Sequence, residues 1–320
     1  MIPAVHDFPV PPPRQPSSGV KMARIKFKHI RKFIKPYVIE DGSHFRLSHH
    51  DPADTHDLNS EDKPEAKKWL QEGVGFLSDM QDRLYAQCHW GMLLIFQAMD
   101  AAGKDSTIKH VTSGVNPQGV DIFSFKAPSP EEISHDFLWR TNCCLPPRGK
   151  IGIFNRSYYE EVLVVRVHPE LLDKERIPRE FHGEHFWRHR YEDINAFEKY
   201  LTRNGIAIRK FYLHVSRKEQ KRRFLERLDN SEKNWKFSAA DVHERKYWDD
   251  YQAAYEKMIR NTASEHAPWV IAPADNKWFT RLLVVATIVD ALSGMNLEYP
   301  KLSAAQLTEL KQARKQLEKE

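Results

Sequence analysis

Apolar positions in this chain change their period several times, and each change marks an element. From Pro64 onward Leu70, Val74, Leu77 and Leu84 recur at intervals of three, four and seven, which predicts an amphipathic helix opened by the proline. The unbroken run 92–96 follows, short and rich in large side chains, as a strand buried on both faces. Further strand candidates are 120–125 (VDIFSF), 151–154, 206–215 and 269–271. Between them lie helical stretches at 184–203, 217–229, 241–262 and 278–292, and a helix over 128–140 begun by Ser129, Pro130, Glu131 and Glu132. Strands alternating with helices predict an α/β fold, a parallel sheet of about five strands with helices on both faces. No internal repeat is visible, and 304–320 reads as a polar helix.

The N-terminal part has a different texture. Residues 1–20 are rich in proline and serine and read as a disordered arm. Residues 21–35 are basic, with Ile25, Phe27, Ile30, Phe33 and Ile34 interleaved. That pattern suits a short amphipathic helix packed on the body or on a second subunit, or a polyanion-binding arm. The stretch 36–63 is a turn-rich lead-in. The expected organisation is therefore a 1–20 arm, a 21–63 extension, a main domain over 64–300 and a C-terminal helix in 301–320.

Composition narrows the function classes. At 320 residues, 41% of them hydrophobic, the chain can bury a sizeable core. There is no apolar run of ~18 residues and no signal-like N-terminus, so a cytoplasmic protein without membrane contact is expected. Adjacent Cys143 and Cys144 with a solitary Cys88 suggest neither a disulfide framework nor a zinc site. The spacing of His182, His185 and His189 fits one helix face, but without an accompanying carboxylate motif it reads as surface. With 49 basic and 44 acidic residues the net charge of +5 is mild, and no nucleic-acid partner is expected. Basic residues cluster in 21–35, 203–227 and around 140–166, and each cluster serves equally as a polyanion surface or a solvated face.

The chemistry concentrates in 91–114, GMLLIFQAMDAAGKDSTIKHVTSG. A buried strand, a small-residue turn, Lys104 and a helix form the arrangement in which backbone N–H groups and a helix N-terminus converge on a phosphate. Ala98 stands where the usual phosphate loop has its first glycine, and Asp105 where it has the Ser or Thr that holds magnesium. Asp100 inside the loop makes sense beside phosphate if a divalent cation lies between them; its alternative use is an Asx turn. Lys104 is the expected cation on the transferring phosphate. Ala101, Ala102 and Gly103 supply the close backbone, while Asp105, Ser106 and Thr107 face phosphate or metal or cap the helix.

The variant loop MDAAGKDST resembles the polyphosphate kinase 2 family. So do GKIGIFNRSYYEEVLVVRVHPELL (149–172), EQKRRFLERLDNSEKNWKFSAAD (219–241) and APWVIAPADNKWFTRLLV (267–284), in the family's order. The NRSYYEEVL form is similar to the third class, which uses AMP as well as ADP. The resemblance covers roughly 35–300 and implies a P-loop kinase-like core with a helical lid around 216–245. It further implies phosphoryl transfer between inorganic polyphosphate and AMP, ADP or ATP with Mg2+ (Mn2+ as substitute) in a homo-oligomer, dimer or tetramer. It implies Asp100, Asn155 and Glu160 as metal ligands and Arg156 on the donor phosphates. In the lid, Gln220, Arg223 and Arg227 share one helical face, with Arg223 as the mobile cation completing the site on closure. Lys126, Arg140, Lys150, Arg156 and Arg166 are expected to line a polyphosphate groove. The alternatives are an ATP-dependent nucleoside or nucleotide kinase of the same fold and a non-catalytic polyanion-binding P-loop protein.

Overall fold

The computed structural model describes residues 29–320 other than Lys233 and Phe237. Its centre is β2 (Gly91–Ala98), every residue of which is buried. On one side β2 pairs in parallel with β4 (Ile151–Asn155), and on the other with β5 (Ile206–His214). Beyond β4 lies β3 (Val120–Ser124), also parallel, and beyond β5 lies β6 (Trp269–Pro273). A sixth strand, β1 (Val38–Ile39), closes the other edge antiparallel to β6. The order is thus β1-β6-β5-β2-β4-β3. The lead-in that the sequence marks only as turns contributes β1, because two residues are too few to show a period.

Alternation along β5 sorts the helices into two layers. On one face Lys210 meets Glu198 of α3 (Phe186–Arg203), and Tyr212 stacks on Tyr255 of α5 (Trp248–Thr262). The opposite face is covered by α6 (Lys277–Ser293), which packs along α1 (Lys63–Gln87) and against α2 (Lys104–Val111). Twelve residues of α6 are buried, so this helix is apolar nearly all round and sits inside the molecule. Burying each such Leu, Ile or Phe contributes roughly 1.5–3 kcal/mol, which makes the β2–α6 region the anchor for everything built on the sheet's edge.

Two predicted helices are broken. At 128–140 the Ser129 capping box forms, yet the helix stops at Ser134; His135 is extended, and a second turn runs Trp139–Asn142. The stretch 241–262 divides into Ala239–Glu244 and α5, joined by a 3-10 turn at Arg245–Tyr247. Between β5 and these turns lies α4 (Arg217–Asp229), capped by Ser216, whose hydroxyl accepts from the Glu219 amide. The predicted helix over 21–35 falls partly outside the described residues. Of its described part, Ile34 is buried and Phe33 meets Phe279 edge-on at 5.8 Å. The arm 1–20 lies wholly outside them. At the other end α7 (Ala304–Leu317) has no buried residue.

Because β2, β4, β5 and β6 are parallel, the segments that follow them emerge at one edge of the sheet. That is the crevice where open α/β sheets bind ligands. It gathers the loop 98–103, the turn 155–160, the start of α4 and the residues after Pro273.

Candidate functional site

The loop between β2 and α2 is shaped by backbone that most residues avoid. Ala101 has φ +61° and Gly103, at the N-cap of α2, has φ +107°. Glycine takes the second value without strain, whereas alanine at the first costs about 1–2 kcal/mol and needs its surroundings to hold it.

Arg223 does the holding. Its Nη1 donates to the carbonyls of Ala101 (3.0 Å) and Ala102 (2.7 Å), and its Nη2 to those of Ala274 (2.6 Å) and Asp275 (3.2 Å). Its Nε donates to Glu219 Oε1 at 2.8 Å. All five guanidinium donors are therefore taken, and the side chain is only 5% exposed. In this structure Arg223 thus clamps the loop after β2 to the loop after β6 and has no donor left over.

The clamp orients the cradle. A trans peptide points its N–H opposite to its carbonyl, so the peptides turned toward Arg223 direct the Gly103 N–H away from it, to the side where the first turn of α2 presents its own unpaired N–H groups. Those groups and the helix's positive end make an anion seat. Lys104 opens α2 and folds back so that its ammonium donates to the Ala98 carbonyl at 3.0 Å. Burial and the neighbouring Arg156 pull its pKa below the ordinary lysine value, with Asp100, Glu160 and Asp105 opposing.

Arg156 connects the two carboxylates expected to bind metal. It follows β4 with φ +66°, another strained non-glycine position, and its amide donates to the Phe96 carbonyl at 3.0 Å. Its Nη2 reaches Asp100 Oδ1 at 2.7 Å and its Nη1 reaches Glu160 Oε2 at 3.1 Å. These carboxylates hold the guanidinium well above its usual pKa, Glu160 more strongly than Asp100. Asn155 does not join them. Its amide donates to Asp105 Oδ1 at 2.8 Å, so the carboxylate that replaces the usual loop hydroxyl is tied sideways to β4. The bond uses the amide nitrogen of Asn155, and its oxygen is the atom that the expected pairing with Glu160 on a metal would use.

Other predicted residues scatter. Ser106 accepts from Arg281 of α6 at 2.8 Å, and Thr107 is buried. Arg140 is also buried, its Nη1 donating to the carbonyl of exposed Lys126 at 2.8 Å. Arg166 lies over the Trp187 ring at 5.1 Å. Lys150 pairs with Asp121 at 3.1 Å just before β4, hence at the sheet edge opposite the loop. Lys150 is therefore no part of a groove at the loop. The Nη1 bond ties Arg140 to the backbone of Lys126.

The segment from α4 through Ala239–Glu244 brings to the cleft groups that sequence reasoning missed. Asp241, 3.9 Å from Arg227, lines the same cavity as Asp100, Arg156 and Glu160. Burial raises its pKa, as does the charge of Asp100, while Arg227 and Arg156 oppose. Gln220 donates to the Asp100 carbonyl at 2.9 Å and accepts from Arg245. Asp241 closes one of the quoted sequence blocks, but nothing in its local pattern says which cavity it lines.

Asp100 and Glu160 are hard oxygen donors of the type a small divalent cation takes. Such a cation commonly uses one or two protein carboxylates and completes its shell with phosphates and water. The donor chemistry therefore fits, with Arg156 at present holding both carboxylates. Among the described residues no group of three or more His, Cys, Asp or Glu side chains is gathered for a metal.

Comparison with known proteins agrees with the geometry. The family described as polyphosphate kinase 2 matches residues 58–300. The chain is 54% identical over 258 residues to a Rhodopseudomonas palustris protein named ADP-polyphosphate phosphotransferase, covering 80% of this chain and 89% of that one. It is 42% identical over 272 residues to a Meiothermus ruber protein named AMP/ADP-polyphosphate phosphotransferase, covering 85% and 97%. Among solved structures, polyphosphate kinase 2 from Arthrobacter aurescens superposes with a TM-score of 0.77 at 40% identity, covering 85% of this chain and 94% of that one.

Proposed function

The chain belongs to the polyphosphate kinase 2 family, and from that premise we propose that it moves a phosphoryl group between inorganic polyphosphate and AMP or ADP at the loop joining β2 to α2. One observation carries the site assignment. Lys104, buried at the loop, spends one of its three ammonium donors on the Ala98 carbonyl and has no other hydrogen-bond partner among the described residues.

Phosphoryl transfer asks a protein mainly to align donor and acceptor and to neutralise charge on the moving group. The anion seat of Gly103 and α2 takes phosphate oxygens, and Lys104 supplies a positive charge that low exposure leaves poorly screened. Asp100 and Glu160 would hold magnesium, or manganese in its place, and the cation would supply positive charge beside the phosphates. With these carboxylates so engaged, Arg156 would be free to turn its fork to the donor phosphates, a geometry suited to bidentate phosphate contact. Asn155 keeps Asp105 out of the seat, where a second negative charge would repel substrate. One phosphoanhydride replaces another, so the direction follows concentrations. The protein is further proposed to work in the cytoplasm as a dimer or tetramer, a state that light scattering reads directly.

The test is direct. Purified protein is incubated with polyphosphate, magnesium and AMP, without ATP, and products are followed by chromatography. ADP and then ATP are expected; absence of both, or product only when ATP is supplied as donor, overturns the reading.

A further inference from the structure

β2 is apolar from Met92 to Phe96 and then places a glutamine, Gln97, in the middle of the sheet with no exposed surface. Burying an amide costs a few kcal/mol unless both of its ends find partners. Only one end does. Nε2 donates to Glu160 Oε1 at 3.1 Å, while Oε1 is buried and has no hydrogen-bond partner among the described residues. An apolar side chain of the same size would avoid that cost, so Gln97 is not explained by stability. A breach of the packing rule beside a cleft asks for a functional reason.

The geometry around Glu160 supplies one. Its two oxygens are held from different directions, Oε1 by Gln97 and Oε2 by Arg156. Arg156 is shared with Asp100 and stands on a strained turn, so its hold is conditional. Gln97 stands on the central strand, where it pairs in register with Tyr212 and follows Phe96, itself paired with Asn155 and Phe211, and it cannot move without the sheet. Of the two contacts, Gln97 is the one that persists when Arg156 turns away. We propose that Gln97 is a positioning residue that holds the Glu160 carboxylate in place for a divalent cation. This deepens the functional reading above and rests on it.

The variant that tests it is Gln97→Met, which keeps the length and burial of the side chain but removes both the donor and the unpaired oxygen. Stability and function should move in opposite directions. The melting temperature is expected to equal or exceed that of the unaltered protein. Affinity for manganese, titrated by paramagnetic resonance with ADP present, is expected to fall about 10- to 100-fold, the range for lost partners of metal-bound groups. The magnesium concentration for half-maximal turnover should rise in step, with little change in KM for polyphosphate. Gln97→Leu removes the same groups with a different shape and carries the same expectation, which separates loss of the donor from a packing fault. A folded Gln97→Met or Gln97→Leu protein with unchanged metal affinity overturns the inference. Failure of the unaltered protein to use polyphosphate overturns the functional reading instead, so the two failures are distinct.

Discussion

Two lysines in this molecule are buried to a similar degree and used in contrary ways. Lys210, on β5, is fully enclosed, and its ammonium donates to Glu198 Oε2 (2.6 Å), the Thr262 carbonyl (2.6 Å) and the Tyr159 hydroxyl (3.0 Å). Three donors meet three acceptors. Glu198 in turn accepts from the hydroxyls of Tyr158 (2.9 Å) and Tyr159 (2.7 Å), so the pair is completed on both sides. Lys104 is 9% exposed and, among the described residues, has the Ala98 carbonyl as its one hydrogen-bond partner. Burial pulls both ammonium groups below the usual lysine pKa. At Lys210 a buried carboxylate answers that cost directly, and at Lys104 the remaining donors have no hydrogen-bond partner among the described residues. Burial alone does not separate the two lysines, but the count of partnered donors does; under the proposed function the unused donors of Lys104 are the ones that meet phosphate.

Substitutions can break this contrast. Removing one partner of a fully buried pair strands the other, so Lys210→Met should destabilise by about 3–5 kcal/mol. That amounts to a fall in melting temperature on the order of 10 °C, with turnover of the folded protein nearly unchanged. Adding Glu198→Leu should recover part of the loss, because the stranded carboxylate goes with it while the Tyr158 and Tyr159 hydroxyls lose their acceptor. Loss of activity without loss of stability would place Lys210 in the catalytic machinery and end the distinction.

Lys104→Ala should do the reverse. Turnover is expected to drop at least ~100-fold, as when a group that meets developing charge is removed, while the melting temperature barely shifts. A large drop in melting temperature would make Lys104 structural.

The smallest effect concerns pH. A lysine with a depressed pKa in the folded state loses its proton before the unfolded chain does. Between those two values the unfolded state binds more protons, and stability rises with pH. The cost of burying charged Lys104 is thus present in full below its folded pKa and fades as pH climbs toward the ordinary lysine value. Lys104→Met should accordingly be as stable as the unaltered protein or more so at neutral pH. Thermal melts from neutral to alkaline pH should show that advantage shrinking; an advantage that grows would mean that the pKa is raised.

Much of this was legible in the chain. The strand 92–96, the small-residue turn and Lys104 are contiguous, and contiguous features carry their own signal through period, size and capping. The helix at 217–229 was likewise read to its ends, since Ser216 caps it from within. The family reading drawn from the quoted blocks agrees with the matched family and its relatives. The use of Arg223 was not legible. A helical face bearing Gln220, Arg223 and Arg227 points somewhere, but the carbonyls of residues 101, 102, 274 and 275 become its target only when the ends of β2 and β6 are brought side by side.

Sequence by itself therefore determined the kinds of element, the strand–turn–lysine–helix order of residues 91–114 and the family, because each depends on neighbours within a few residues. Tertiary structure alone decided the strand order, the pairing of Asn155 with Asp105, the bridge of Arg156 between Asp100 and Glu160, and the orphaned end of Gln97. Each of these joins segments far apart along the chain, and the side chain's role is set by which donors and acceptors the packed sheet leaves within reach.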